Sequence, residues 1–88
     1  MKVSADYDSL RFSLNLHYDW PAEYPLKFIV PAVRLGALTA LLNGAAWTER
    51  PSRNGRFIAV TVVVQAHSAE EVIEWYERVA GIDGLIAL

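Results

Sequence analysis

The stretch Pro51-Ser52-Arg53-Asn54-Gly55-Arg56-Phe57-Ile58-Ala59-Val60-Thr61-Val62-Val63-Val64-Gln65-Ala66 decides how this chain folds. It opens as a turn and runs into a long β-branched strand, Arg56 to Ala66. Asn54-Gly55 supplies the left-handed backbone positions that a hairpin needs. Alternation along the strand puts Ile58, Val60, Val62 and Val64 on one face, and Phe57, Ala59, Thr61, Val63 and Gln65 on the other. The first face is purely aliphatic and is predicted to meet helices. The second is mixed and is predicted to be partly exposed.

Downstream, Ser68-Ala69-Glu70-Glu71 is a capping box, in which the Ser hydroxyl and the Glu carboxylate satisfy each other's backbone donors. Val72, Tyr76 and Val79 then form one helical face, widened by Ile73, Trp75 and Ala80. Glu74 and Arg78 stand at i,i+4, the spacing of a favourable ion pair. Gly81-Ile82 ends the helix, and Asp83-Gly84 turns the chain into a short strand, Gly84 to Leu88.

Upstream, Ala46 to Arg50 reads as an edge strand, since Pro51 could not sit in the middle of a sheet. Val33 to Leu42 places Leu35, Leu38, Leu41 and Leu42 at helical spacing and stops at Asn43-Gly44. Leu26 to Val30 is a buried strand closed by Pro31. Leu10 to Tyr18 alternates apolar and polar residues, which by period alone predicts a strand. The pairs Leu10/Leu14 and Phe12/Leu16 keep a helix open, with Asp8 or Ser9 as its N-cap. Trp20-Pro21 ends the element either way.

The order β-α-β-β-α-β predicts an α+β fold, a ferredoxin-like two-layer sandwich with an antiparallel sheet whose first and third strands are central. The chain reads as a single domain, 1–88. Residues 1–7 form a loose, flexible tail, 8–19 an N-terminal segment and 26–88 the ferredoxin-like core.

Eighty-eight residues leave no room for a second domain, and 53% hydrophobic residues, with three Trp, four Tyr and three Phe, supply one core. There are no cysteines, which excludes disulfides, thiolate metal sites and cysteine catalysis. Eight Lys+Arg against ten Asp+Glu give a net charge of −2, which predicts no general attraction to nucleic acid or anionic membrane. Phe57 to Ala66 is the longest candidate for membrane insertion and is half the length a spanning helix needs. Met1 to Asp6 lacks the apolar core of a signal peptide, so the expected location is cytoplasmic.

The run Arg50 to Thr61 resembles the strand–turn–strand signature of the small bacterial YbeD-like proteins of unknown function. Trp20-Pro21 followed by Leu26-Lys27-Phe28-Ile29-Val30-Pro31 is similar to that family's entry into its first strand. Ser68 to Ile73 and Gly81 to Leu88 are similar to its closing helix and strand. The resemblance covers about residues 10–88 and is best in the second half. It implies a ferredoxin-like sandwich related in shape to ACT regulatory domains, with no established activity. It also implies a short N-terminal helix ending before Trp20-Pro21, and that is the reading taken for this segment. ACT domains hold amino-acid ligands at the turn after the first strand. Here that turn, Pro31 to Gly36, is short and poor in polar side chains.

Little catalytic chemistry is legible. His17 and His67 lie in separate elements, and Ser13, His17 and Asp19 are too local in sequence to define a triad. Glu70, Glu71, Glu74 and Glu77 follow the solvent face of a capped helix. No catalytic residue, metal ligand or cofactor is expected. Arg50, Arg53 and Arg56, with Ser52, make a candidate anion or partner contact at the hairpin tip, although a solvated turn explains the same residues. An RNA-recognition platform would need outward aromatics on the central strands. Phe28 shares its face with Leu26 and Val30, and positions 59 and 61 are Ala and Thr. Ile29, Phe57 and Val63 suggest an apolar open sheet face, to be covered by a second copy or a protein partner, or by Tyr18, Trp20 and the N-terminal segment folding over it. The leading expectation is a small non-enzymatic regulatory or protein-interaction domain. An ACT-like small-molecule or anion sensor is the alternative, and an RNA-binding module the remote one.

Overall fold

A computed structural model describes residues 7–88. Helix α1 spans Asp8–His17, strand β1 Ala22–Pro31, a 3-10 turn Ala32–Arg34 leads into helix α2 Leu35–Leu41, and strand β2 spans Trp47–Pro51. Strand β3 spans Phe57–Ala66, helix α3 Ala69–Val79 and strand β4 Ile86–Ala87. The fold is α+β: an open antiparallel sheet in the order β2-β3-β1-β4, with helices on one side.

The central pair runs in unbroken register from Ala22↔Ala66 to Pro31↔Phe57. Alternation therefore seals Leu26, Phe28 and Val30 of β1 and Val60, Val62 and Val64 of β3 on one face. Leu14 of α1, Leu38 of α2, Leu42 just after it, and Val72 and Val79 of α3 pack onto that face as one core. Burying such side chains is worth about 1.5–3 kcal/mol each relative to leaving them in water.

The alternating segment from Leu10 is helical up to His17, as the resemblance implied and against the strand that its period alone predicts, and only one of its two i,i+4 ridges is buried. Leu10 and Leu14 face the core, while Phe12 and Leu16 lie in solvent. A strand-like period results from a helix with a narrow buried stripe. Other elements differ from the sequence reading. The N-cap is Tyr7 rather than Asp8 or Ser9, and its carbonyl accepts from the Arg11 N–H at 2.8 Å. Tyr7 thus belongs to the fold and not to a tail, and the rest of the expected tail, 1–6, lies outside the described residues. Asp8 instead bonds the Arg11 guanidinium at 2.9 Å, and Arg11 reaches across to Glu70 of α3 at 2.7 Å.

Strand β1 starts four residues earlier than Leu26 and contains Pro25. β4 pairs only with Phe28 and Ile29, so β1 is paired on one edge at Pro25, which leaves room for a residue with no N–H. The 3-10 turn takes Val33 and Arg34 out of the expected helix. At the hairpin, Gly55 alone takes positive φ, at 73°, and its N–H donates to the Ser52 carbonyl at 3.0 Å. The connection is a longer loop over 52–56 with a terminal left-handed glycine, a common alternative to the two-residue hairpin.

The capping box is half formed. Ser68 Oγ accepts from the Glu71 N–H, but the Glu71 carboxylate accepts from the His67 N–H at 2.8 Å, one residue beyond the cap. Arg78 lies over the Trp75 ring at 4.4 Å instead of pairing with Glu74. At the last turn, Gly84 has φ 78°, and a Cβ there would meet the Pro31 ring at 2.8 Å, so only glycine lets β4 close onto β1.

Candidate functional site

Nothing among the described residues packs over the outer face of the sheet. Tyr18 and Trp20 do not cross it. They stack on each other at 5.5 Å, and Tyr18 meets Tyr24 on the helix side. Trp20 Nε1 donates to Asn15 Oδ1 of α1.

The pairing defines what the outer face presents. One cross-strand row is Thr48, Thr61 and Lys27, and a second is Arg50, Ala59, Ile29 and Ile86. Phe57 lies beside Pro31 and Val63 beside Pro25. Polar side chains thus occupy the middle with apolar positions to either side, and beyond Val63 the face ends in the polar pair Glu23 and Gln65. Phe57 is 42% exposed, Val63 53% and Ile86 53%, against 0% for Phe28 on the opposite side of the same sheet. A shallow trough of about 370 Å³ lies over the middle, lined by Lys27, Thr48, Glu49, Arg50, Ala59, Thr61 and Leu88. The small Ala59 side chain makes its floor.

The hairpin tip is organised differently from the sequence expectation. Asn54 Oδ1 accepts from Ser52 Oγ at 3.1 Å and from the Arg56 N–H at 3.0 Å, and Ser52 Oγ accepts from the Phe57 N–H at 3.2 Å. Ser52 is spent on holding the turn, and the Gly55 N–H is bonded within it. Arg53 and Arg56 project from that turn. Arg50 belongs to the sheet face beside Ala59.

Charge divides the molecule. On the helix side, Arg11 pairs with Asp8 and Glu70, Arg34 with Asp83 at 3.7 Å, and Arg78 covers Trp75. The Glu70 hydrogen bond is the main reason that the Arg11 guanidinium is pushed up from its ordinary value. The Glu71 carboxylate is held below its ordinary range, chiefly by the His67 backbone N–H. On the sheet side, Lys27, Arg50, Arg53 and Arg56 have no acidic partner among the described residues.

The histidines and carboxylates weighed from sequence stay apart. His17 ends α1, and no hydrogen bond joins it to Ser13 or Asp19 among the described residues. His67 serves the α3 cap at 3.2 Å from Glu71. Inside the sandwich, the Tyr76 hydroxyl lies 3.3 Å from that of Tyr24. Burial and that contact push the Tyr76 phenol well above its ordinary value, so it stays neutral.

The model of a family described as "Protein of unknown function (DUF493)" matches residues 17–87. The chain belongs to this family. No curated protein and no solved structure matches it. The DUF493 match runs from the last residue of α1 through β4, so the whole open face lies within it. Of the residues expected to form that face, Ile29, Phe57 and Val63 are all there, with Ile29 half-buried between its neighbours. Thr61 lies on this face as the strand alternation predicted, and Lys27, Thr48 and Ile86 join it through the pairing. Lys27 carried a usable signal: a lone lysine between Leu26 and Phe28, in an otherwise apolar strand, marks a strand with one open face.

Proposed function

We propose that this DUF493 protein is a small, non-enzymatic interaction module of the cytoplasm that acts in regulation by docking a protein segment on the open face of its sheet. The strand order β2-β3-β1-β4 with helices on one side supports a ferredoxin-like reading, and with it the YbeD-like and ACT-like resemblance. One observation carries the functional reading. Phe57, Val63 and Ile86 hold apolar surface in water on the side away from every buried side chain of the core. An apolar surface on an open sheet is stabilised by a partner that covers it. No helix among the described residues is long and apolar enough to cross a membrane.

The test is a selection from a random displayed peptide library against the full chain. Peptides bound by the parent should lose binding to Val63→Gln and to Ile86→Gln, both of which keep the parent's circular dichroism spectrum. Glutamine already stands on this face at position 65. Peptides bound equally by the parent and both variants would place the contact surface elsewhere.

A further inference from the structure

We infer that the segment docked on the open face is acidic at its centre and apolar at both ends, with its carboxylates seated over Ala59 between Lys27 and Arg50. This rests on the reading of the open face as a contact surface and specifies what it contacts.

The argument is the division of charge. The protein as a whole is acidic, with a net charge of −2, so a cationic face is not a consequence of composition. The helix-side arginines 11, 34 and 78 are each engaged by a carboxylate or a ring. Among the described residues, the cations engaged by neither a carboxylate nor a ring lie on the outer face or at the hairpin tip beside it. Lys27 and Arg50 flank β3 from opposite sides in adjacent rows, about 12 Å apart on the diagonal by strand spacing and rise. The hydroxyl-bearing Thr48 and Thr61 lie in the row next to Arg50 and add donors along the same trough. Carboxylates there would meet two cations and two hydroxyls, while Glu49 at the trough's edge is paired with the inward Val60 and accepts from Trp47 Nε1 at 2.8 Å.

The apolar ends set the rest of the pattern. From Phe57 to Val63 along β3 is about 20 Å. A segment lying along the strand would therefore carry apolar side chains that far apart, with its acidic residues between them. A second copy offering the same face would oppose cation to cation. Offering its acidic helix side instead would make an open head-to-tail chain. Single-stranded RNA would want several stacked aromatics, and with Phe28 fully buried, Phe57 at the strand end is the one aromatic among the described residues of this face.

A charge-reversal selection tests this. The full-length parent and the double variant Lys27→Glu with Arg50→Glu are each used to select from the same random peptide library. The parent is expected to enrich peptides rich in Asp and Glu between apolar residues, and the reversed variant peptides rich in Lys and Arg. Both sets should be lost on adding Val63→Gln. A milder pair, Lys27→Gln with Arg50→Gln, should weaken the parent's best peptide about tenfold, as expected for two exposed ion pairs. Added salt should weaken the parent's binding more than that of this neutral pair. Peptides of the same charge from parent and reversed variant, still lost with Val63→Gln, would overturn the acidic assignment and leave the docking face standing. Peptides indifferent to Val63→Gln would overturn both. Binding of single-stranded RNA by this face, with no acidic peptide enriched, would also overturn it.

Discussion

Along β3, Val60, Val62 and Val64 are sealed beneath the helices, while Ala59, Thr61 and Val63 face away from the core. The two sets share one strand and one backbone geometry. They differ in what lies over them, and so in what selects them. The inner set is held by packing, where volume is the constraint. The outer set touches no helix, so its pattern of apolar ends, central hydroxyls and unpaired cations is not explained by the stability of the fold.

The same substitution on each side breaks this comparison most sharply. Val62→Gln places an amide among aliphatic side chains with no partner and should destabilise the domain by about 4 kcal/mol. Val63→Gln, one residue away, should change the unfolding free energy by about 0.5 kcal/mol or less. Urea unfolding of the two variants checks this, and equal losses would mean that the outer face is packed in solution. Leu14→Ala comes next, at about 3 kcal/mol, because α1 is held to the core through that buried side chain. The matching change on the exposed ridge, Phe12→Ala, should cost about 0.5 kcal/mol. Ser68→Ala, which removes the α3 cap, should cost about 1 kcal/mol in thermal or urea unfolding.

The smallest effect is a pH dependence. Glu71 is held below its ordinary carboxylate range in the folded chain. Its contribution is therefore present above its unfolded-state value and is lost as the pH falls through the folded-state value. Glu71→Gln should melt below the parent at neutral pH, and the two melting curves should converge in acid as the pH falls through the folded-state value. A gap between the curves that is constant down to acid pH would show that the His67–Glu71 contact carries no charge-dependent stability.

The faces were legible in the sequence to different degrees. The strand alternation of β3 and the inward Phe28 could be read from period alone, because a side-chain repeat of two leaves no other solution once one face is aliphatic. The open face was partly legible through Ile29, Phe57 and Val63. The outward direction of Lys27 could be read from the strand period, but its place beside Thr61 could not, since that depends on the pairing of β1 with β3, which is a tertiary fact. Arg50, Arg53 and Arg56 read as one cluster along the chain. The pairing and the turn divide them, setting Arg50 on the sheet and the others at the tip, and Asn54 claims the Ser52 hydroxyl that an anion would have used. Helix α1 hid behind a strand-like alternation because burial of a single ridge, Leu10 and Leu14, removes the wide apolar stripe by which helices are recognised.

The most direct measurement is a residue-by-residue map of where an acidic peptide, selected by the parent chain, lands on the folded protein. Backbone amide shifts of the full chain would be followed as that peptide is added. The account predicts saturable changes at Lys27, Ile29, Arg50, Ala59, Thr61 and Val63, with little at α1 and α3. Changes concentrated on Glu74, Glu77 and the other solvent-facing residues of α3, with β1 and β3 silent, would contradict it.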